Sequence, residues 1–247
     1  MSADGDGEVA RAAYEEWHDR LGVDVEANAP WHLLVRAHLD VERDLAGKQV
    51  LEIGCGRGGF TCWLSTQGAG RTEIVAADFS TTAVTKGSLS AARRAIGGIA
   101  WEVGDIQHIP HADASFDTVF SCETIEHVPD PALAVRELAR VLKPGGRLFL
   151  TTPNYLGTTG LYRGYLRMTG RKFQEEGQPI NNFTMLPRTI GWVKRASLRA
   201  VVVSGSGHYL PCPGRDPIRM PFFERGGVMT RWLALHSLVV AQKPSVG

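Results

Sequence analysis

Short apolar runs alternate with longer amphipathic stretches through the middle of the chain. Val50–Ile53, Ile74–Ala77, Trp101–Val103, Phe116–Cys122 and Arg147–Thr151 are bounded by Gly, Asp or Pro and are too short for buried helices, which predicts five strands. Between them the apolar positions take up helical spacing. Leu133, Leu138, Val141 and Leu142 form one such face, with Arg136, Glu137 and Arg140 reading as its solvated side. Ser80 and Asp130-Pro131 are predicted helix starts: an oxygen side chain stands ahead of unpaired first-turn N–H groups, and Pro131 brings a φ already suited to that turn. Five strands alternating with helices predict an α/β, Rossmann-like, mostly parallel sheet with helices on both faces. Leu198–Val203 and Leu235–Ala241 read as two further strands.

The flanks add less regular pieces. Residues 1 to about 8 are rich in Gly and Asp and read as disordered, and Glu8–Leu21 as a helix on which Tyr14, Trp17 and Leu21 share a face. That face either anchors the helix on the core or caps a substrate pocket. A second helix is expected over Trp31–Leu45, opened by Asn28-Ala29-Pro30. Tyr155–Asn182 is a long insertion after the fifth strand, and residues 221–232 join the last two strands. In the insertion, Arg163, Arg167, Arg171 and Lys172 are interleaved with Leu161, Tyr162, Tyr165, Leu166, Met168 and Phe173. This pattern suits an amphipathic lid with solvated arginines, a hold on an anionic substrate, or contact with a membrane surface.

Composition narrows the setting. With 247 residues and 43% hydrophobic content the chain can bury one substantial core, and a single domain is expected: a helical cap (1–45), a core (46–154), the lid insertion (155–197) and C-terminal strands (198–247). A net charge of +1 supplies no basic field, and no nucleic-acid partner is expected. Four cysteines, at 55, 62, 122 and 212, form no C-x-x-C pair and read as reduced thiols. The polar N-terminus has no apolar signal-type segment, and no apolar run approaches the roughly 20 residues that span a bilayer. A cytoplasmic location is expected.

The chemistry begins at VLEIGCGRGGF (Val50–Phe60), where an apolar strand turns through a glycine-rich loop into a helix. Gly54, Gly56 and Gly59 can take conformations closed to other residues and let main-chain N–H groups approach a ligand. The spacing alone also suits dinucleotide dehydrogenases and ordinary turns. Asp78 ends the second strand about 20 residues further on, where a carboxylate binds ribose hydroxyls, and Asp105 follows the third strand, where one can accept from an adenine amino group.

Taken in order, LEIGCGRGGF, AADFS, VGDIQHIP, ASFDTVFSCETIEHV and LKPGGRLFLTTPN resemble the successive motifs of the class I S-adenosylmethionine-dependent methyltransferases, over about Gly47–Asn154. ETIEHV and TPN look most like the ubiquinone-biosynthesis O-methyltransferases and their small-molecule relatives. The resemblance implies a seven-stranded, mostly parallel sheet with one antiparallel edge strand, an N-terminal helical cap and a lid after strand five. It implies S-adenosylmethionine as cofactor and a small-molecule acceptor. Gly54, Cys55 and Gly56 would lie under the methionine part, with Glu52 at the amino group, Asp78 and Phe79 at the ribose, Asp105 and the Ile106 backbone at adenine, and the Cys122 backbone toward the sulfonium. His32 stands where quinone O-methyltransferases carry an arginine for the cofactor carboxylate; Arg36 is the alternative. The implied activity is methyl transfer to oxygen. Methyl transfer to nitrogen or carbon, a non-catalytic cofactor-binding protein and a nicotinamide-dependent reductase remain the other readings.

Glu123-x-x-Glu126-His127 follows the fourth strand. On a helical turn, positions i, i+3 and i+4 share a face, and two carboxylates with an imidazole make a candidate site for a divalent cation such as Mg, able to hold and acidify an acceptor hydroxyl. The other readings are that His127 acts alone as a general base, or packs while the glutamates cap backbone or face water. Where the resemblance to small-RNA methyltransferases calls for a further histidine ligand, the chain has Asn181-Asn182-Phe183.

Overall fold

The computed structural model describes residues 3–23, 26–68, 70–157, 160, 163–164, 167–168, 170, 180, 182–210, 218–221, 223 and 231–245, with side chains from residue 11. Five strands follow the expected order: β1 (Gln49–Ile53), β2 (Glu73–Asp78), β3 (Ile99–Val103), β4 (Phe116–Cys122) and β5 (Leu142–Pro153). They pair in parallel, while the C-terminal strand β9 (His236–Gln242) runs antiparallel to β5 on one side and to β6 (Arg199–Ser206) on the other. The seven-stranded order is β3-β2-β1-β4-β5-β9-β6; β7 (Tyr209–Leu210) and β8 (Ile218–Arg219) form a separate two-stranded ladder. Strand order reverses between β1 and β4, the switch point outside which open α/β sheets take their ligands. Because β9 is reversed, its first residue, His236, reaches the edge where β1, β2, β4 and β5 end.

Alternation along the strands fills the two faces. On β4, Val119 turns into the cluster with Leu138 of α6 (Pro131–Val141) and Trp192 of α7 (Leu186–Arg195), while Phe120 turns into the cluster with Leu34 of α2 (Pro30–Arg36) and Phe60 of α4 (Gly59–Gln67). Phe120 stacks on Phe149 at 4.9 Å and meets the edge of Phe60 at 5.9 Å. The helix starts are those expected: Ser80 accepts from Ala83 N at the head of α5 (Thr81–Arg93), and Asp130 from Ala132 N and Leu133 N at the head of α6.

Four expectations are corrected. The N-terminal helix α1 begins at Ala3, so residues 3–8 are helical. The helix expected over 31–45 is two pieces, α2 and α3 (Val41–Asp44), because the Asp40 carboxylate accepts from Arg43 N and starts a new helix instead of continuing the old one. The Leu142–Gly146 turn is an irregularity inside β5, where the ladder to β4 shifts register between Phe116 and Thr118. Glu137 and Arg140 are not simply solvated. Glu137 accepts from Ile109 N, and Arg140 donates to the carbonyls of Ile109 and His111, pinning the loop after β3.

Candidate functional site

The glycine loop leaves β1 in a conformation that only glycine takes cheaply. Gly54, Gly56 and Gly58 have φ of 77°, 53° and 74°, so Gly58, and not Gly59, makes the third left-handed turn. A side chain at Gly54 would run into Thr124, which follows β4, whereas one at Gly56 would meet only His18 Cε1 at 3.8 Å. The Gly56 peptide is therefore unobstructed by side chains except for the buried His18 ring of α1, which lies within van der Waals reach of the space in front of it. Gly58 heads α4 with no side-chain cap, leaving first-turn N–H groups directed at the same region.

Two carboxylates frame that space. Asp78, buried at the end of β2, accepts from Gly56 N at 2.8 Å and from Ser80 N at 2.9 Å; burial raises its pKa. Gly104 N donates to the Asp78 carbonyl, so Asp105 sits one residue beyond that junction, its Oδ1 accepting from Gln107 N while the Ile106 side chain goes into the core. Glu52 is buried in β1 and accepts from Thr61 Oγ1 at 2.5 Å; burial, followed by the charge of Asp78, pushes its pKa up to about 8, so it is largely protonated at neutral pH. Cys55 and Cys122 are buried at the ends of β1 and β4, where burial pushes both thiols well up; with Cys62 they are free cysteines.

Helix α1 closes over this edge. Glu15 accepts from Ser80 Oγ, Thr81 N and Thr82 N, a second cap on α5, and Lys86 Nζ donates to the carbonyls of His18 and Asp19. His18 is buried with Nε2 3.9 Å from Asp78 Oδ1 and Nδ1 3.1 Å from Arg57 Nη1. Burial, then the Arg57 charge, lowers its pKa to about 4, so the ring is neutral near pH 7. Tyr14 donates to the His127 carbonyl, Arg57 covers the Trp17 ring, and Arg11 covers Phe79. These contacts fasten α1 to the edge where β1 and β2 end. The sequence did not single out His18, though its place one turn beyond Tyr14 on the same helix was a signal.

His32 and Arg36 separate. The His32 ring stacks on Phe60, in the first turn of α4, at 4.5 Å and 3°, beside the open helix start. Arg36 lies over Trp63 and donates to Asn28 Oδ1, on the outer side of α4.

The E-x-x-E-H segment does not assemble as a helical face. Glu123 precedes the 3₁₀ turn Ile125–His127 and has φ 48°, which turns its side chain away from the other two. Among the described residues no group of three His, Cys, Asp or Glu is arranged to hold a metal ion, which corrects the expected site at Glu123, Glu126 and His127. His127 Nδ1 donates to Ile180 O at 2.8 Å, and Nε2 is 3.6 Å from the buried Glu126 Oε1. Asn182 donates to the carbonyls of Glu126 and Val128, so it clamps the turn; Asn181 lies outside the described residues. Glu123 meets a residue that sequence reasoning missed. His236 Nδ1 is 3.3 Å from Glu123 Oε2. The signal was available: an antiparallel strand starting at Leu235-His236 must begin where the parallel strands end.

Much of the basic insertion, including Arg171 and Lys172, lies outside the described residues. Arg163 sits over the rings of Tyr155 and Phe183. Among the described residues no helix is long and apolar enough to cross a membrane.

Comparison with known proteins gives a consistent picture. A family described as "Methyltransferase domain" matches residues 51–150. The chain is 36% identical over 203 residues to a ubiquinone biosynthesis O-methyltransferase of Xanthomonas oryzae pv. oryzae, covering 78% of this chain and 80% of that protein. It is 29% identical over 191 residues to methyltransferase GfsG of Streptomyces halstedii and 32% over 152 residues to a ubiquinone biosynthesis O-methyltransferase of Neisseria meningitidis (72% and 60% of this chain), spanning 64% and 63% of their lengths. Among solved structures, the putative methyltransferase in complex with the Haloferax volcanii Trm112 activator superposes with a TM-score of 0.65 at 19% identity, covering 96% of this chain and 99% of that one. YcgJ from Bacillus subtilis superposes at 0.61 and 16%, covering 88% and 99%. Both likenesses establish the fold.

Proposed function

The chain belongs to the class I S-adenosylmethionine-dependent methyltransferases, and from that premise we propose that it carries a methyl group to an oxygen of a small-molecule acceptor. The observation that carries the reading is the junction of Gly56 with Asp78: a glycine peptide just past β1, at the switch point of the sheet, held by a buried carboxylate at the end of the neighbouring β2. In the proposed complex Asp78 accepts from the ribose hydroxyls beside Phe79, and Asp105 with the Ile106 backbone takes adenine. Gly54, Cys55 and Gly56 line the methionine part, with the Cys122 backbone toward sulfur. Glu52, protonated and hydrogen-bonded, shapes the floor, and His32 with the uncapped start of α4 receives the carboxylate.

Bound there, S-adenosylmethionine supplies a methyl group already activated as a sulfonium. The residues of the chain then have to align the acceptor with the S–CH₃ axis and keep water out. Helix α1, fastened through Glu15, His18 and Tyr14, supplies the cover. A cation is no part of this proposal, because Glu123 turns to His236 and does not converge with Glu126 and His127. Oxygen is favoured by the relatives named O-methyltransferases.

The test is a panel of hydroxylated, carboxylated and amine acceptors with methyl-labelled S-adenosylmethionine. Label in a methyl ether or ester is expected; label only in methylamines would contradict the oxygen assignment. Turnover unchanged by a chelator is expected.

A further inference from the structure

We propose that His236 is the general base of the methyl transfer, oriented by Glu123, and that the acceptor group is therefore a hydroxyl, since a carboxylate is already ionised and needs no base. This rests on the oxygen-directed reading above.

Topology puts the imidazole in place. The reversal of β9 brings His236 opposite Pro153 on β5 and to the same edge as Cys122 and Glu123 at the end of β4. The next residue, Thr124, has its side chain in the space a Cβ at Gly54 would need, so the chain leaving β4 at Glu123 adjoins the glycine loop. Trp31 of α2 covers the His236 ring at 5.3 Å between centroids.

The local geometry is that of an oriented base. With Nδ1–H donating to the Glu123 carboxylate at 3.3 Å, the neutral tautomer leaves the lone pair on Nε2, which makes no hydrogen bond among the described residues. The His236 and Glu123 side chains are each 12% exposed, enough cover to strengthen their interaction without sealing the ring from a ligand. Glu123 holds a left-handed φ of 48°, unusual for a non-glycine residue, and its Oε1 is buried with no hydrogen-bond partner among the described residues. Strain and an unsatisfied carboxylate oxygen both cost stability, and both follow from aiming this carboxylate at one imidazole. His127, by contrast, has Nδ1 on the Ile180 carbonyl and Nε2 against Glu126.

The step balances. As the acceptor oxygen closes on the methyl carbon, its O–H proton passes to His236 Nε2 and an oxygen electron pair becomes the new C–O bond. The electron pair of the breaking C–S bond stays on sulfur, which leaves as a neutral thioether. Glu123 stabilises the imidazolium, which returns its proton to solvent.

The test treats the whole chain, with S-adenosylhomocysteine present, with diethyl pyrocarbonate and maps the modified histidines. His108, 77% exposed, is the reactive standard, and His18, 8% exposed and set against Arg57, the protected one. His236, 12% exposed, is expected to be labelled more slowly than His108 but clearly faster than His18. Labelling as low as at His18 would overturn the proposal, since a nitrogen closed to the reagent is closed to an acceptor. Histidine-selective ¹⁵N NMR of the same complex should show Nδ1–H and a bare Nε2 at His236; an Nε2–H tautomer would also overturn it. Calorimetry with S-adenosylhomocysteine on that sample reports separately on the parent reading: absence of binding sinks the cofactor assignment, while labelling and tautomer still judge the base.

Discussion

The backbone N–H of Gly56 donates to Asp78 Oδ2 at 2.8 Å, so one carboxylate both locks the glycine loop onto β2 and faces the proposed ribose site. Asp78→Asn removes the charge from both interactions. A hydrogen bond to a charged group is worth about 1.5–3 kcal/mol, so affinity for S-adenosylhomocysteine should fall roughly ten- to hundredfold. Gly56→Ala forces a side chain into φ 53° at a cost of roughly 1–2 kcal/mol, without a clash, since the new Cβ meets only His18 Cε1 at 3.8 Å. Calorimetric titration of both variants checks this; unchanged affinity in Asp78→Asn would remove Asp78 from the site.

The hold of α1 should depend on pH through His18. Its folded pKa, about 4, lies below its ordinary 6.5. The unfolded chain therefore binds the proton first, and this contribution is complete above pH 6.5 and lost as pH falls toward 4. Glu15 acts in a lower window: burial raises its pKa, but hydrogen bonds from Thr82, Ser80 and Thr81 outweigh this and hold it at about 2, so its contribution is lost only below its ordinary 4.5. Fluorescence of Trp17, whose ring lies 4.8 Å from that of His18, should change between pH 6.5 and 4 against the background of the other tryptophans. His18→Gln should abolish this component. A transition confined below pH 4, the same in both proteins, would contradict the assignment.

How much of this was legible in the sequence depends on what kind of signal each feature leaves. The strands, the caps at Ser80 and Asp130, and the succession from Gly54 to Asp78 to Asp105 are written in local chemistry, and local chemistry survives folding. The break at Asp40 was visible only as a competition between a side-chain cap and helix continuation, which periodicity does not weigh. Glu123 misled because i, i+3, i+4 spacing means convergence only if all three residues are helical, and its left-handed φ is not encoded in spacing. His236 required combining strand direction with sheet order, since it lies 113 positions from its partner.

The buried pair of Asp44 with Arg147 ties the end of α3 to β5, with two contacts of 2.7 and 2.9 Å and an Asp44 side chain fully excluded from solvent. Arg147→Met leaves that carboxylate with the half-exposed Arg43 guanidinium and the Asp40 N–H. Removing one partner of a buried pair costs about 3–5 kcal/mol, and for a chain of this length each kcal/mol is worth roughly 2–4 °C in Tm, so a drop on the order of 10 °C is expected. Asp44→Asn with Arg147→Met should recover part of it. Thermal unfolding followed by circular dichroism measures both; a change within 1–2 °C, roughly the effect of an exposed pair, would show the pair to be dispensable.

With a hydroxyl acceptor in hand, His236→Gln should lower kcat by about 10²-fold or more, the usual scale for loss of a general base, while S-adenosylhomocysteine affinity stays the same. His127→Gln should act through the turn it holds against Ile180, lowering the thermal midpoint and reducing kcat less than His236→Gln does. The reverse order of effects on kcat would move the base to His127.

The central claim is that the loop after Ile53, framed by Asp78 and Asp105, receives the adenosyl sulfonium. Isothermal titration of the purified chain with S-adenosylhomocysteine tests it most directly, with NAD as the control ligand. Saturable binding at one site per chain, weakened in Asp78→Asn and absent with NAD, is the expected result. No heat of binding up to millimolar S-adenosylhomocysteine, or saturable binding of NAD instead, would contradict it.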